Sequence, residues 1–177
     1  MNRYEKICSV MSSWLDSDIT PAITPNGILT KNDKHSKPSD FLNEDNYYAV
    51  QFELCRLWLQ DAEFIQQFND ESNSYTCKHT VEGASEYYIC NGVFLLAARS
   101  MALEMKYEPN SPNAQLKISK KWHRDFRAIN PSSTHWFQKQ AIEFLADPSL
   151  DHIKFVQEWR KSHGDKIITM TNWRSYN

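Results

Sequence analysis

The chain has 177 residues, 41% of them hydrophobic and 13% aromatic, and a formal net charge of −2. Such a composition excludes a disordered chain, and the length suits one domain that buries its own core. Only four glycines are present, too few for Gly-rich phosphate loops or an all-β fold with many tight turns, and the small net charge makes any nucleic-acid affinity a local property.

The periodicity of apolar residues gives the elements in chain order. Ile7, Val10, Met11, Trp14 and Leu15 predict an amphipathic helix over about residues 2–15. A polar stretch, Asp16–Asn46, follows. It contains Pro21, Pro25, Pro38 and the turn signal Pro25-Asn26-Gly27. It reads as an arm, a lid, or a segment laid over the core through Ile19, Ile23, Ile28 and Leu29.

A second helix is expected over Tyr47–Phe68, with Leu54, Leu57, Trp58, Phe64 and Ile65 on its apolar face. Residues 69–82 are polar, and Tyr75–Thr80 reads as a short strand. Ala84–Tyr107 is apolar on nearly all sides and predicts the central buried helix. Within it Glu86, Asn91 and Arg99 each need a partner or solvent, and Arg99 is expected in an ion pair. Residues 115–119 read as a strand, and Ser119 caps a helix at 120–129. Further helices are expected at 134–146 and 147–162, then a strand at Lys166–Trp173. The fold expected is mainly α: a single domain of five or six helices with two or three short strands.

Charge divides the chain. Residues 1–114 carry nine Lys/Arg against sixteen Asp/Glu, and residues 115–177 carry eleven against six, with four of the six His. The basic excess is densest in Lys117–Lys139, where Trp122, Phe126, Trp136 and Phe137 interleave. On a helix Lys120, Arg124 and Arg127 share one face, flanked by Lys121, while Trp122 anchors to the core. Lys120, Lys121, Trp122, Arg124, Arg127 and His135 are therefore the candidate binding residues. The partner most expected is the acidic surface of another protein, as for an immunity protein, antitoxin or inhibitor, with a homodimer as a further possibility. Nucleic acid is the alternative. A helical ribonuclease is one form of it, but Pro131 between Arg127 and His135 breaks the single-helix Arg–His spacing that HEPN ribonucleases use.

Three other constellations could carry chemistry. His79-x-x-Glu82-x-x-x-Glu86 would line one helix face, as a carboxylate metal site requires, but Gly83 interrupts it and no second set completes it. Cys77-Lys78-His79 places a thiol near a histidine. Pro109–Ala114 offers Asn110 and Asn113 on a polar turn, either as ligand groups or as turn formers, and Glu86 or Arg99 could join them in an enzyme site that follows no motif. No Walker loop, GxGxxG, GxSxG, HExxH or EF-hand occurs, so neither a cofactor nor a metal is expected and an enzyme is the lesser reading. Cys8, Cys55, Cys77 and Cys90 form no CxxC, and no apolar run of membrane-spanning length or cleavable leader is seen. The location expected is cytoplasmic, with no membrane partner.

Overall fold

The structure, a computed structural model, describes residues 9, 12, 21–31, 37–42, 47–85 and 87–123. Ser9 and Ser12 are helical, as the spacing over 2–15 requires. The rest of that helix, and the elements expected from residue 124 onward, lie outside the described residues.

The polar stretch after the first helix contains a hairpin. β1 (Ile23–Thr24) and β2 (Gly27–Ile28) pair antiparallel around Pro25-Asn26, with Thr24 opposite Gly27. Pro25 presets the backbone angle of the first turn position. Gly27 then takes φ +127°, and a Cβ there would lie 2.2 Å from the carbonyl oxygen of Pro112. Ile23 and Ile28 are buried, so the segment lies on the core, and a 3-10 helix (Pro38–Leu42) adds Phe41 to it.

α1 (Tyr47–Asp61) is buried over nearly its whole length. Its Trp58 meets Phe94 and Trp122 edge-on, with ring centroids 5.9 and 4.8 Å away. The helix stops at Asp61. Phe64 and Ile65, expected on its apolar face, instead begin β3 (Phe64–Asn73) and are exposed. β3 pairs antiparallel with β5 (Ala114–Ile118), which pairs with β4 (Met105–Tyr107), giving the order β3-β5-β4. Ten residues of β3 run beside five of β5, so the register shifts twice. Asn69 and Ser72 hold the irregularity together: both donate to the Ile118 carbonyl, at 3.1 and 3.0 Å.

Tyr75–Thr80, expected as a strand, belongs to α2 (Ser74–Ser85). Asn73 Oδ1 accepts the Thr76 N–H at 2.9 Å, an N-cap that starts the helix at the end of β3. Cys77 and Val81, one turn apart, supply its buried side. The central helix is α3 (Asn91–Ser100), shorter than Ala84–Tyr107, and residues 91–99 are all buried. It ends in a Schellman arrangement. Leu103 N–H reaches the Ala98 carbonyl, Ala102 N–H reaches Arg99, and Ala102 takes φ 54°.

Among the described residues there are three α-helices of known bounds, one 3-10 helix and five strands in two antiparallel sheets. The class is mixed α/β, which corrects the mainly α expectation of five or six helices. The bulged β3 has no clean alternation to mark it as a strand, and α2 is too polar to announce a helix. The strand expected at 115–119 is present as β5. Ser119 caps the helix that starts at residue 120, its Oγ accepting the Trp122 N–H at 3.3 Å. No helix among the described residues is long and apolar enough to cross a membrane.

Candidate functional site

Lys78, His79, Tyr75 and Tyr88 gather around Glu82 on α2. Lys78 lies one turn before it, and its Nζ donates to Glu82 Oε1 at 2.8 Å. The Lys78 side chain is 6% exposed and that of Glu82 18%, so the pair is largely out of water. The same oxygen accepts the Ile89 N–H at 3.0 Å, and the other carboxylate oxygen takes a hydrogen bond from His79 Nδ1. Partial burial opposes ionisation of Glu82. The hydrogen bonds from Lys78 and Ile89 and the charges of Lys78 and His79 outweigh it, so its pKa lies below the ordinary carboxylate value.

Two tyrosine rings bracket this ion pair. Lys78 Nζ stands 5.2 Å from the ring centroids of both Tyr75 and Tyr88. Tyr75 also meets the His79 ring edge-on at 4.4 Å. Tyr75 is 51% exposed and Tyr88 60%, the two highest values among the large hydrophobic residues described. Partial burial, with Cys90 and Glu82 nearby, raises the Tyr88 phenol above its ordinary value, so it is neutral at physiological pH. The result is an aromatic surface with a neutralised charge pair beneath it. His79 and Glu82 share a helix face as their spacing implies, and Glu86, the third member of that set, lies outside the described residues. Among the described residues no group of three His, Cys, Asp or Glu could hold an ion.

Cys77 points the other way, into the core, and pairs with His123 rather than His79. Cys77 Sγ is 3.8 Å from His123 Nε2, and His123 Nδ1 is 3.0 Å from Thr80 Oγ1. Thr80 in turn lies 3.2 Å from the Thr76 carbonyl. One donor order satisfies all three contacts: thiol to Nε2, Nδ1–H to Thr80, and Thr80 hydroxyl to Thr76. All three side chains are buried, and Trp58 stacks edge-on to the imidazole. The chain satisfies buried polar groups and fastens the helix that begins at residue 120 to α2. Cys55 and Cys90 are also buried thiols, and burial pushes the Cys55 thiol well up.

The Pro109–Ala114 turn is rigidly held. Pro112 carbonyl accepts from Ile28 N–H at 2.9 Å and from Asn91 Nδ2 at 2.9 Å, and Asn91 Nδ2 also donates to Asn113 Oδ1 at 3.0 Å. The amide nitrogen of Asn91 thus finds its partners in this loop. Arg99 donates to the Pro21 carbonyl at 2.9 Å, where an ion pair was expected. Glu86 lies outside the described residues. Two shallow clefts flank the turn and share Glu108 and Ser111. One, of about 360 Å³, is polar, with Asp70, Asn73, Asn113 and Gln115. The other, of about 380 Å³, is mostly apolar, with Ile28, Leu29, Tyr107 and Pro109. Neither contains Cys77, His79 or Arg99.

Of the residues picked out on the basic segment, Lys120 and Lys121 are exposed, and Lys120 is paired with Glu71 at 2.8 Å. Trp122 is 1% exposed and packs on Trp58. Arg124, Arg127 and His135 lie outside the described residues. Comparison with protein-family models, with curated proteins and with solved structures finds no match.

Proposed function

We propose that the chain is a binding protein that docks another protein through Tyr75, His79 and Tyr88. The observation that carries this reading is the exposure of two tyrosines whose rings are fixed in place by one buried ammonium. Tyrosine offers large contact area at low conformational cost and dominates interface hot spots. Fixing the rings beforehand removes part of the ordering cost of association. Neither cleft reaches these residues, and an open aromatic surface suits a protein better than a small molecule. With Lys78 matched by Glu82, the surface draws its affinity from packing. An acidic stretch on the partner is the proposed complement to the basic segment that begins at Lys117, with steering as its main effect. The three described cysteines are thiols, which suits a partner met in a reducing compartment such as the cytoplasm.

The test is affinity capture with the wild-type chain and with Tyr75→Ala/Tyr88→Ala, followed by affinity measurement with the purified partner. Both residues are exposed, so the double variant is expected to keep the wild-type fold. Hot-spot tyrosines lose about 2 kcal/mol or more each on truncation, so the double variant should bind about a thousandfold more weakly if the two losses add and at least about thirtyfold more weakly if only one counts. Equal affinity for both proteins, or a wild-type chain that retains no partner, refutes the proposal.

A further inference from the structure

The clefts flanking Glu108–Ser111 belong to neither the aromatic surface nor the basic segment, and their chemistry is different. We propose that they form one site for an uncharged saccharide. Because Glu108 and Ser111 line both, the polar and the apolar cleft meet across a single turn. A sugar has the matching asymmetry: hydroxyls on its rim and C–H groups on its ring faces.

The polar cleft brings together carboxylates (Asp70, Glu108), amides (Asn73, Asn113, Gln115) and the Ser111 hydroxyl. Carboxylates only accept hydrogen bonds, whereas amides both donate and accept. Neighbouring hydroxyls on a sugar ring do both, so they can bridge such an alternating set. No Lys, Arg or His lines either cleft, which leaves a phosphate, sulfate or acidic sugar without a counter-charge. The carboxylates do not call for a metal ion either. Gln115 Nε2 donates to Asp70 Oδ1 at 2.8 Å and to Glu108 Oε1 at 2.9 Å, giving each a neutral donor that a sugar hydroxyl can replace.

The apolar cleft supplies the stacking surface. Tyr107 stands there with Ile28, Pro109 and Leu29, the last 40% exposed. The turn between the clefts is built before any ligand arrives. Asn110 sits at φ 63°, Asn113 N–H reaches Ser111 Oγ at 3.2 Å, and the Pro112 carbonyl is held by Ile28 and Asn91. Pre-organisation of this kind reduces the cost of binding for ligands that make few strong contacts. A polyol gains its affinity from several modest hydrogen bonds and one stacked face.

The experiment is amide NMR of the full chain, titrated with neutral trisaccharides linked through glucose, galactose, mannose or N-acetylglucosamine. Spermidine serves as a cationic probe and inorganic phosphate as an anionic one. At least one neutral trisaccharide should give saturable shifts at residues 28–30 and 107–115, with a dissociation constant in the millimolar range or about 10-fold below it. Asp70→Ala removes an exposed carboxylate. It should weaken that binding about tenfold while leaving amide shifts elsewhere unchanged. The proposal is overturned if no neutral trisaccharide gives a saturable shift at those amides by about 10 mM, or if spermidine or phosphate does so in their place. Tyr75→Ala/Tyr88→Ala is expected to leave the sugar response intact, which separates this site from the protein-binding surface.

Discussion

Replacing Glu82 by Gln tests the centre of the aromatic surface. The substitution keeps the shape and an acceptor for the Ile89 N–H but removes the charge that Lys78 faces. The Lys78 side chain is only 6% exposed, so its ammonium is left desolvated, with two tyrosine rings as its remaining favourable neighbours. Breaking a fully buried ion pair costs about 3–5 kcal/mol. Glu82 is at the edge of the buried region, where water offsets part of that cost, which brings the expected loss to about 2–3 kcal/mol. For a chain of this size the melting temperature should drop by roughly 5–10 °C. Urea denaturation at neutral pH measures the difference. Lys78→Met/Glu82→Gln, which removes both charges, should recover much of it. The pH dependence has a fixed sign. The folded-state pKa of Glu82 is depressed, so its stabilisation is full above the unfolded carboxylate range and is lost as pH falls through the lower folded value. The wild-type advantage over Glu82→Gln should therefore shrink in acid. A neutral-pH difference below about 0.5 kcal/mol, or one that grows as pH falls, refutes the reasoning.

Gly92→Ala places a Cβ 1.7 Å from the Thr24 carbonyl oxygen and should cost about 3 kcal/mol or more in urea denaturation, because the hairpin must move off α3. Gly83→Ala meets nothing within 4 Å inside α2 and should stabilise by about 0.5–1 kcal/mol. Ala102→Gly relieves a left-handed residue at the end of α3 and should add about 1 kcal/mol. Trp122→Ala should destabilise by about 3–5 kcal/mol, since the indole is buried against Trp58, while Lys121→Glu should leave the melting temperature unchanged within about 2 °C.

The parts of the fold legible in the sequence are those set by local rules. The apolar spacing of α1, the buried run of α3, the strand at β5 and the Ser119 cap each follow from a few neighbouring residues. β3 escaped because Phe64, Ile65 and Phe68 continue the helical spacing of α1 and the bulges remove a strand's alternation. α2 escaped because its signal is polar: an Asn73 cap, then i, i+4 pairs of Tyr75 with His79 and Lys78 with Glu82. Those pairs could have been found by asking which polar residues sit one turn apart, and they would have pointed to the aromatic surface directly. Other contacts have no local trace. Cys77 and His123 are 46 residues apart, and Asn91 reaches Asn113 across 22. The sequence places the thiol two residues from His79, but only the packing of two helices brings it to His123 instead.

The division of charge along the chain acquires a physical meaning from two contacts. Lys117 and Lys120 open the basic portion, and each meets an acid from the acidic portion: Lys117 with Glu104, Lys120 with Glu71. In both cases the acid lies on or beside the β3-β5-β4 sheet that carries Lys117. Part of the basic excess is thus spent within the fold, and exposed pairs of this kind add at most about 1 kcal/mol. Their larger consequence concerns binding. A lysine already paired gains little from an acidic partner and must give up its first carboxylate to meet it, whereas a fixed, exposed tyrosine ring gives up only water. On that comparison the proposed docking would be anchored by Tyr75 and Tyr88, and the basic segment would act on the rate of encounter more than on the strength of the complex. Raising the salt concentration should therefore slow association with the partner while changing its dissociation little, measurable by surface plasmon resonance. A dissociation rate that rises with salt as steeply as the association rate falls would return the leading role to the lysines.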